Sequence, residues 1–201
     1  MKGLLRKDIY MLWSYCKTFL LLILVFSLVN LVEPNTFYTI YPVMVGSMLP
    51  VTLISYEERC KWIIYCQTLP VSRRLVVVEK YVFSILVTLS ILTVSGIVQY
   101  VVLMRAGSFE LGHYLDLMST LVTFSLVGPG LTLPLIFKLG SEKGRIAYYF
   151  VIGAACTLSF LLPELSFSGL PVPMGLFPVA AVGFYAGSCL LSIRFYQKRE
   201  L

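Results

Sequence analysis

The side chains able to do chemistry are few and thinly spread. The chain of 201 residues has a single histidine, His113, and five cysteines, Cys16, Cys60, Cys66, Cys156 and Cys189, with no CxxC pair among them. Such an odd, scattered set argues for neither a disulfide framework nor a zinc site, and reads as small apolar residues. HExxH, GxSxG and a facing pair of membrane aspartates are absent, so intramembrane hydrolysis has no carrier, and His113 reads as a solvated loop residue. Gly140, Lys143 and Gly144 lie close together, but they do not match GxxxxGK[ST], and the segment is too short for a strand-loop-helix unit. The chain therefore has no cofactor site of its own, and it cannot hydrolyse ATP unaided.

One stretch has the pattern of a recognition element. Trp62, Tyr65, Cys66 and Leu69 recur at i, i+3, i+4 and i+7, which puts one apolar face on a short helix, while Glu57, Glu58, Arg59 and Lys61 cluster at its start. Pro70 stops this helix, because proline disfavours helical backbone in the residue before it. Ser72 can then cap a fresh helix through Arg73 and Arg74. Aromatic residues on such a face are typical anchors of a protein interface. A face lying on lipid would show the same spacing.

The elements that hold this stretch follow from composition. With 58% hydrophobic and 13% charged residues, the chain lies far from the soluble average of about half apolar and a quarter charged, and it reads as an all-α integral membrane protein. Long uncharged apolar runs predict six spans, at Thr18–Val32, Phe37–Tyr56, Tyr81–Met104, Leu117–Phe137, Ile146–Leu162 and Met174–Ile193. These leave no room within the sequence for a separate soluble domain. The first run is short, so its helix is expected to begin near Trp13 or Ser14, with Lys17 snorkelling. It is kept as a span because no small-residue cleavage site follows it.

Of the basic residues, all but Arg105 fall on one side of these spans, whereas Glu33, Glu110, Asp116 and Glu164 fall on the other. The positive-inside rule then puts both termini in the cytoplasm. The net charge of +6 is a topology signal and needs no nucleic acid to explain it. Residues 1–15 carry Leu4, Leu5, Ile9, Leu12 and Trp13 among Lys2, Arg6, Lys7 and Asp8, as a helix lying in the inner headgroup region would. A plain extension of the first span would fit the same residues.

No span carries a charge near its middle, which weakens any proton-coupled transport reading. Asn30 and Gln99 read as bonds between helices. Pro42 and Pro50 interrupt the second span, and Gly128-Pro129-Gly130 with Pro134 interrupts the fourth. The carbonyls such prolines free must be satisfied by other protein groups or by a water-filled cavity. The outer segment Pro163–Pro173 reads as a short re-entrant or surface turn. Gly183 and Gly187 form a GxxxG pair that lets another helix approach closely.

From Tyr56-Glu57-Glu58-Arg59 through Thr68-Leu69-Pro70-Val71-Ser72-Arg73 to Lys80-Tyr81, the chain resembles the permease subunits of type-2 ABC exporters, in the small bacterial branch that exports peptides, bacteriocins and bacitracin. Members share an acidic pair after the second span, an aromatic position, a Thr-Leu-Pro-Val-Ser-Arg-like stretch and a Lys-Tyr opening the third span. The opening Lys2-Gly3-Leu4-Leu5-Arg6-Lys7-Asp8 is similar to their N-terminal interfacial helix, here expected to use Leu5, Arg6, Ile9 and Trp13. Pro163–Pro173 is shorter than the large outer domains of some members.

The resemblance implies that residues 57–69 form the cytoplasmic coupling helix, docking Glu57, Glu58, Arg59, Lys61, Trp62, Tyr65, Cys66 and Leu69 onto a separate ATP-binding subunit. It implies two permeases, as a homodimer or heterodimer, and two ATPases that bind the ATP and Mg. The expected location is the bacterial plasma membrane, with lipid around the spans. The expected role is a non-catalytic permease for hydrophobic or amphipathic substrates, peptides among them. A membrane scaffold or assembly protein, or a small secondary transporter, is the alternative that composition allows.

Overall fold

The computed structural model describes residues 2–66, 68, 72–105, 110–144, 146–147, 149–150 and 176–198, and its secondary structure is helical throughout. In chain order the helices are α1 (Lys2–Tyr15), α2 (Lys17–Val32), α3 (Thr36–Ser47), α4 (Leu49–Arg59), α5 (Trp62–Cys66), α6 (Arg73–Arg105), α7 (Leu111–Leu139) and α8 (Leu176–Lys198). Among the described residues, four stretches are long and apolar enough to cross a bilayer: Thr36–Arg59, Arg73–Arg105, Tyr114–Leu139 and Phe177–Gln197. They fall on the second, third, fourth and sixth predicted spans. Apart from a few positions at its start, the predicted span Ile146–Leu162 lies outside the described residues, as does Pro163–Pro173.

The first predicted span meets a break instead of an extension. α2 has 16 residues, about 24 Å at 1.5 Å per residue, against a hydrocarbon core of about 30 Å. It reaches span length only together with α1, and the two are bent by 71°. The chain turns at Cys16, which is fully buried, so the helix does not run back straight through Ser14 and Trp13. α6, by contrast, has 33 residues, about 50 Å. Its opening turns, from Arg73 to Lys80, stand beyond the predicted span and reach the basic end of the bundle. Ser72 caps it, accepting the Leu75 N–H at 3.4 Å.

Of the prolines expected to interrupt spans, Pro50 lies at a break, whereas Pro42 sits inside α3 and Pro129 and Pro134 inside an unbroken α7, where neighbouring groups can satisfy the freed carbonyls. The second span is two helices, α3 and α4, separated at Met48, just before Pro50. Pro50 has no amide for the Gly46 carbonyl, and the Met48 N–H turns back to Gly46 and Val45. In α7, Pro134 leaves the Gly130 carbonyl without its helical donor. Ser188 on α8 supplies one, its hydroxyl donating to that carbonyl at 2.6 Å. The same knot ties in α6: the Tyr81 hydroxyl lies 2.8 Å from Ser188 Oγ and 2.6 Å from Ser192 Oγ, and Tyr185 donates to the Tyr81 carbonyl at 2.9 Å.

A second polar contact joins α2, α3 and α6. Asn30 Nδ2 donates to Thr39 Oγ1 at 3.2 Å, and Thr39 donates to Gln99 Oε1 at 2.9 Å. These buried groups thus find one another, as buried polar atoms must. Apolar packing fills the rest. Val51, Ile54, Val77, Leu133, Ile136, Tyr185 and Tyr196 form one core cluster, and Ile23, Val43, Leu49, Leu53, Phe83, Ile91 and Leu121 belong to another. α8 turns Ala181, Tyr185, Ser188 and Ser192 inward. A Cβ on Gly183 or Gly187 would meet no atom within 4 Å, so the GxxxG pair packs no helix among the described residues and faces outward.

Candidate functional site

The sequence predicts one helix from Glu57 to Leu69, but the chain divides it. α4 carries the second span on through Arg59, Cys60 ends it, and Lys61 adopts a left-handed backbone with φ 53° before α5 begins at Trp62. The acidic pair is therefore the last turn of a spanning helix, while the aromatic residues sit on a separate five-residue turn. Leu69 and Pro70 lie outside the described residues.

Both parts mix exposed and buried side chains. Arg59 and Lys61 are exposed, and Tyr65 is 58% exposed. Cys66 is buried, and burial pushes its thiol up from the ordinary range. Trp62 is half-buried, with its ring 5.4 Å from that of Tyr65 and the Lys7 ammonium 4.3 Å from its centre. That cation–π contact fastens α5 to α1. Glu58 is half-buried and accepts the Ser141 N–H at 2.7 Å, so it holds the first residue of the helical stretch 141–144 that follows α7.

Glu57 takes an unexpected place. It is only 3% exposed and belongs to a buried ion cluster where α1, α4 and α6 converge. Lys80 Nζ lies 2.6 Å from Asp8 Oδ2 and 2.7 Å from Glu57 Oε1, Lys7 also pairs with Glu57, and Glu79 sits beside Lys80. Burial alone would push the Asp8 carboxyl up, but the Lys80 and Lys7 ammoniums hold it below the ordinary carboxylate range. Sequence reading missed this cluster, since each member by itself looks like a solvated charge at a helix end. The available signal was that Asp8, Glu57, Glu79 and Lys80 are assigned to the same side of the membrane on three different elements.

On α1, Leu5 is half-buried against the core, whereas Arg6, Ile9 and Trp13 are exposed, Trp13 at 69%. The outward apolar residues suit contact with lipid, and the inward Asp8 and Lys7 pin the helix to the bundle.

Between α2, the α3–α4 pair and α7 lies a cavity of about 530 Å³ lined by Phe19, Tyr41, Met44, Met48, Thr52 and Tyr56, with Arg59 at the basic end. A second cavity of about 420 Å³ shares Ser55 and Arg59 with it and opens among Glu58, Glu142 and Lys143. No cluster of His, Cys, Asp or Glu among the described residues has metal-binding geometry.

The sequence pattern of the ABC-2 family transporter proteins matches residues 3–197. No curated protein matches the chain.

Proposed function

The chain belongs to the ABC-2 transporter family, and from that premise we propose that this permease is the membrane half of an exporter driven by a separate ATP-binding subunit. The observation that carries the reading is the turn at Cys60–Lys61, which ends α4 and holds α5 at the basic end with Tyr65, Arg59 and Lys61 exposed. A short helix hung between two spans, with an exposed ring and two cations, offers a partner a small surface that is mechanically connected to both spans. Force applied to α5 would reach α4 through Lys61, and α1 through Lys7 on Trp62. ATP and Mg bind the partner subunit in this scheme, and the permease supplies no ligand to either.

Cargo would use the cavity along the second span. Its walls combine Phe19, Tyr41, Met44 and Met48 with the hydroxyls of Thr52 and Ser55, a mixture suited to amphipathic or hydrophobic molecules such as peptides. A second permease would complete the path, and the outward face bearing Gly183 and Gly187 is one surface on which it could pack. The orientation expected from the basic residues puts α5 and both termini in the cytoplasm of a bacterial cell.

The test is to purify the full-length permease with the product of any ATP-binding-protein gene beside its own. Co-purification, ATP turnover that rises on reconstitution, and two permeases per particle by mass are the expected results. A permease that binds no ATPase and occurs alone would overturn the reading in favour of a scaffold.

A further inference from the structure

The ion cluster does not balance. Two ammoniums, Lys7 and Lys80, face three carboxyl groups, Asp8, Glu57 and Glu79, and Lys80 and all three carboxyls are at most 3% exposed. Lys80 is taken up by Asp8 at 2.6 Å and Glu57 at 2.7 Å, and Lys7 by Glu57 and by Asp8 Oδ1 at 3.1 Å. Glu79 is left over. Its ion-pair contact is 3.6 Å from Lys80, beyond hydrogen-bond reach, and neither of its oxygens has a hydrogen-bond partner among the described residues. Asp8 Oδ1 has the Lys7 ammonium at 3.1 Å but makes no hydrogen bond.

The two carboxyl groups stand on the same ammonium, Lys80 lying 2.6 Å from Asp8 Oδ2 and 3.6 Å from Glu79 Oε2. Two carboxylates are both acceptors and repel, so such crowding is favourable only when one of them is an acid. We propose that Asp8 and Glu79 hold one proton between them, carried on Glu79, so that the junction of α1, α4 and α6 is electrically neutral. The proton comes from bulk water during folding, and no other group changes state. Asp8 is the ionised partner because both lysines reach it, whereas Glu79 has only the long contact to Lys80. The groups around the pair are Lys80 on the same helix, Lys7 on α1, Glu57 on α4 and the neutral Cys66 thiol on α5. The assignment is independent of what the permease carries.

One consequence is a pH dependence with a definite sign. The folded chain binds one proton more than the unfolded chain near neutrality, so stability falls as pH rises through the titration of the buried acid. Glu79→Gln keeps a donor and the shape but cannot lose a proton. Infrared spectra of the full-length protein in nanodiscs should contain a protonated-carboxyl C=O band at neutral pH that shifts with ¹³C-glutamate labelling and is absent in E79Q. Thermal unfolding of the wild type should weaken on raising the pH, with E79Q weakening less. Absence of the labelled band in the wild type, where no variant has to fold, would overturn the proposal. So would a band unchanged in E79Q, or stability that follows sodium or potassium concentration with no acid band, since a bound cation would then balance the charge.

Discussion

The Lys80 ammonium lies 2.6 Å from the Asp8 carboxylate across 72 residues of sequence, and both side chains are essentially without solvent. This pair joins the first helix of the chain to the opening turns of the third span. Glu57 adds the end of the second span to the same ammonium at 2.7 Å. Three separate elements thus share one buried cation, directly behind the turn that carries α5.

Removing that cation should be costly. Lys80→Met strands three carboxyl groups in a dry junction, and breaking a buried ion pair from one side typically costs about 3–5 kcal/mol. Thermal unfolding in detergent should register a loss of that order, and Lys80→Arg a smaller one. A loss below about 1 kcal/mol, the worth of a surface pair, would mean that water reaches the cluster.

The acidic pair and the aromatic pair should now separate in their effects. Tyr65→Ala removes an exposed ring and should weaken ATPase docking by about 2 kcal/mol, roughly 30-fold, with folding unchanged. Trp62→Ala should do the same and also free Lys7. Glu57→Lys should damage the permease itself, because its carboxylate lies inside. Co-purification with the ATPase and the melting temperature, measured on each variant, distinguish the two outcomes.

Topology can be probed at positions that the fold leaves open. Ser141 is a poor reporter because it is buried, while Lys143 and Gly112 are exposed. In a background without native cysteines, Lys143→Cys should resist an impermeant thiol reagent in intact cells, and Gly112→Cys should react. The reverse pattern would invert the orientation.

Ser188 is expected to matter through the carbonyl it satisfies. Ser188→Ala leaves Gly130, already deprived of a helical donor by Pro134, with a buried unpaired oxygen, a cost of about 1–3 kcal/mol. Pro134→Ala restores an amide at that position and should recover part of the loss. Unfolding of the single and double variants in one double-mutant cycle measures the coupling.

How much of this was legible in advance depended on how local the cause was. Hydrophobic length gives the polytopic membrane class and places the predicted spans Leu117–Phe137 and Tyr81–Met104 inside α7 and α6, because burying a run of apolar side chains in lipid needs no knowledge of neighbours. The Ser72 cap and the helix break before Pro50 were likewise readable, since each rests on one residue and its own backbone. What tertiary structure alone decided was the direction each helix end faces. Glu57 looks like a solvated start to a docking helix, and Asp8 like a charge in an interfacial leader, until α1, α4 and α6 converge on Lys80 and exclude water from all of them. The energy of a charge depends on its surroundings far more than on its sequence neighbours, so the same residues read as surface along the chain and become the centre of the junction once it is folded.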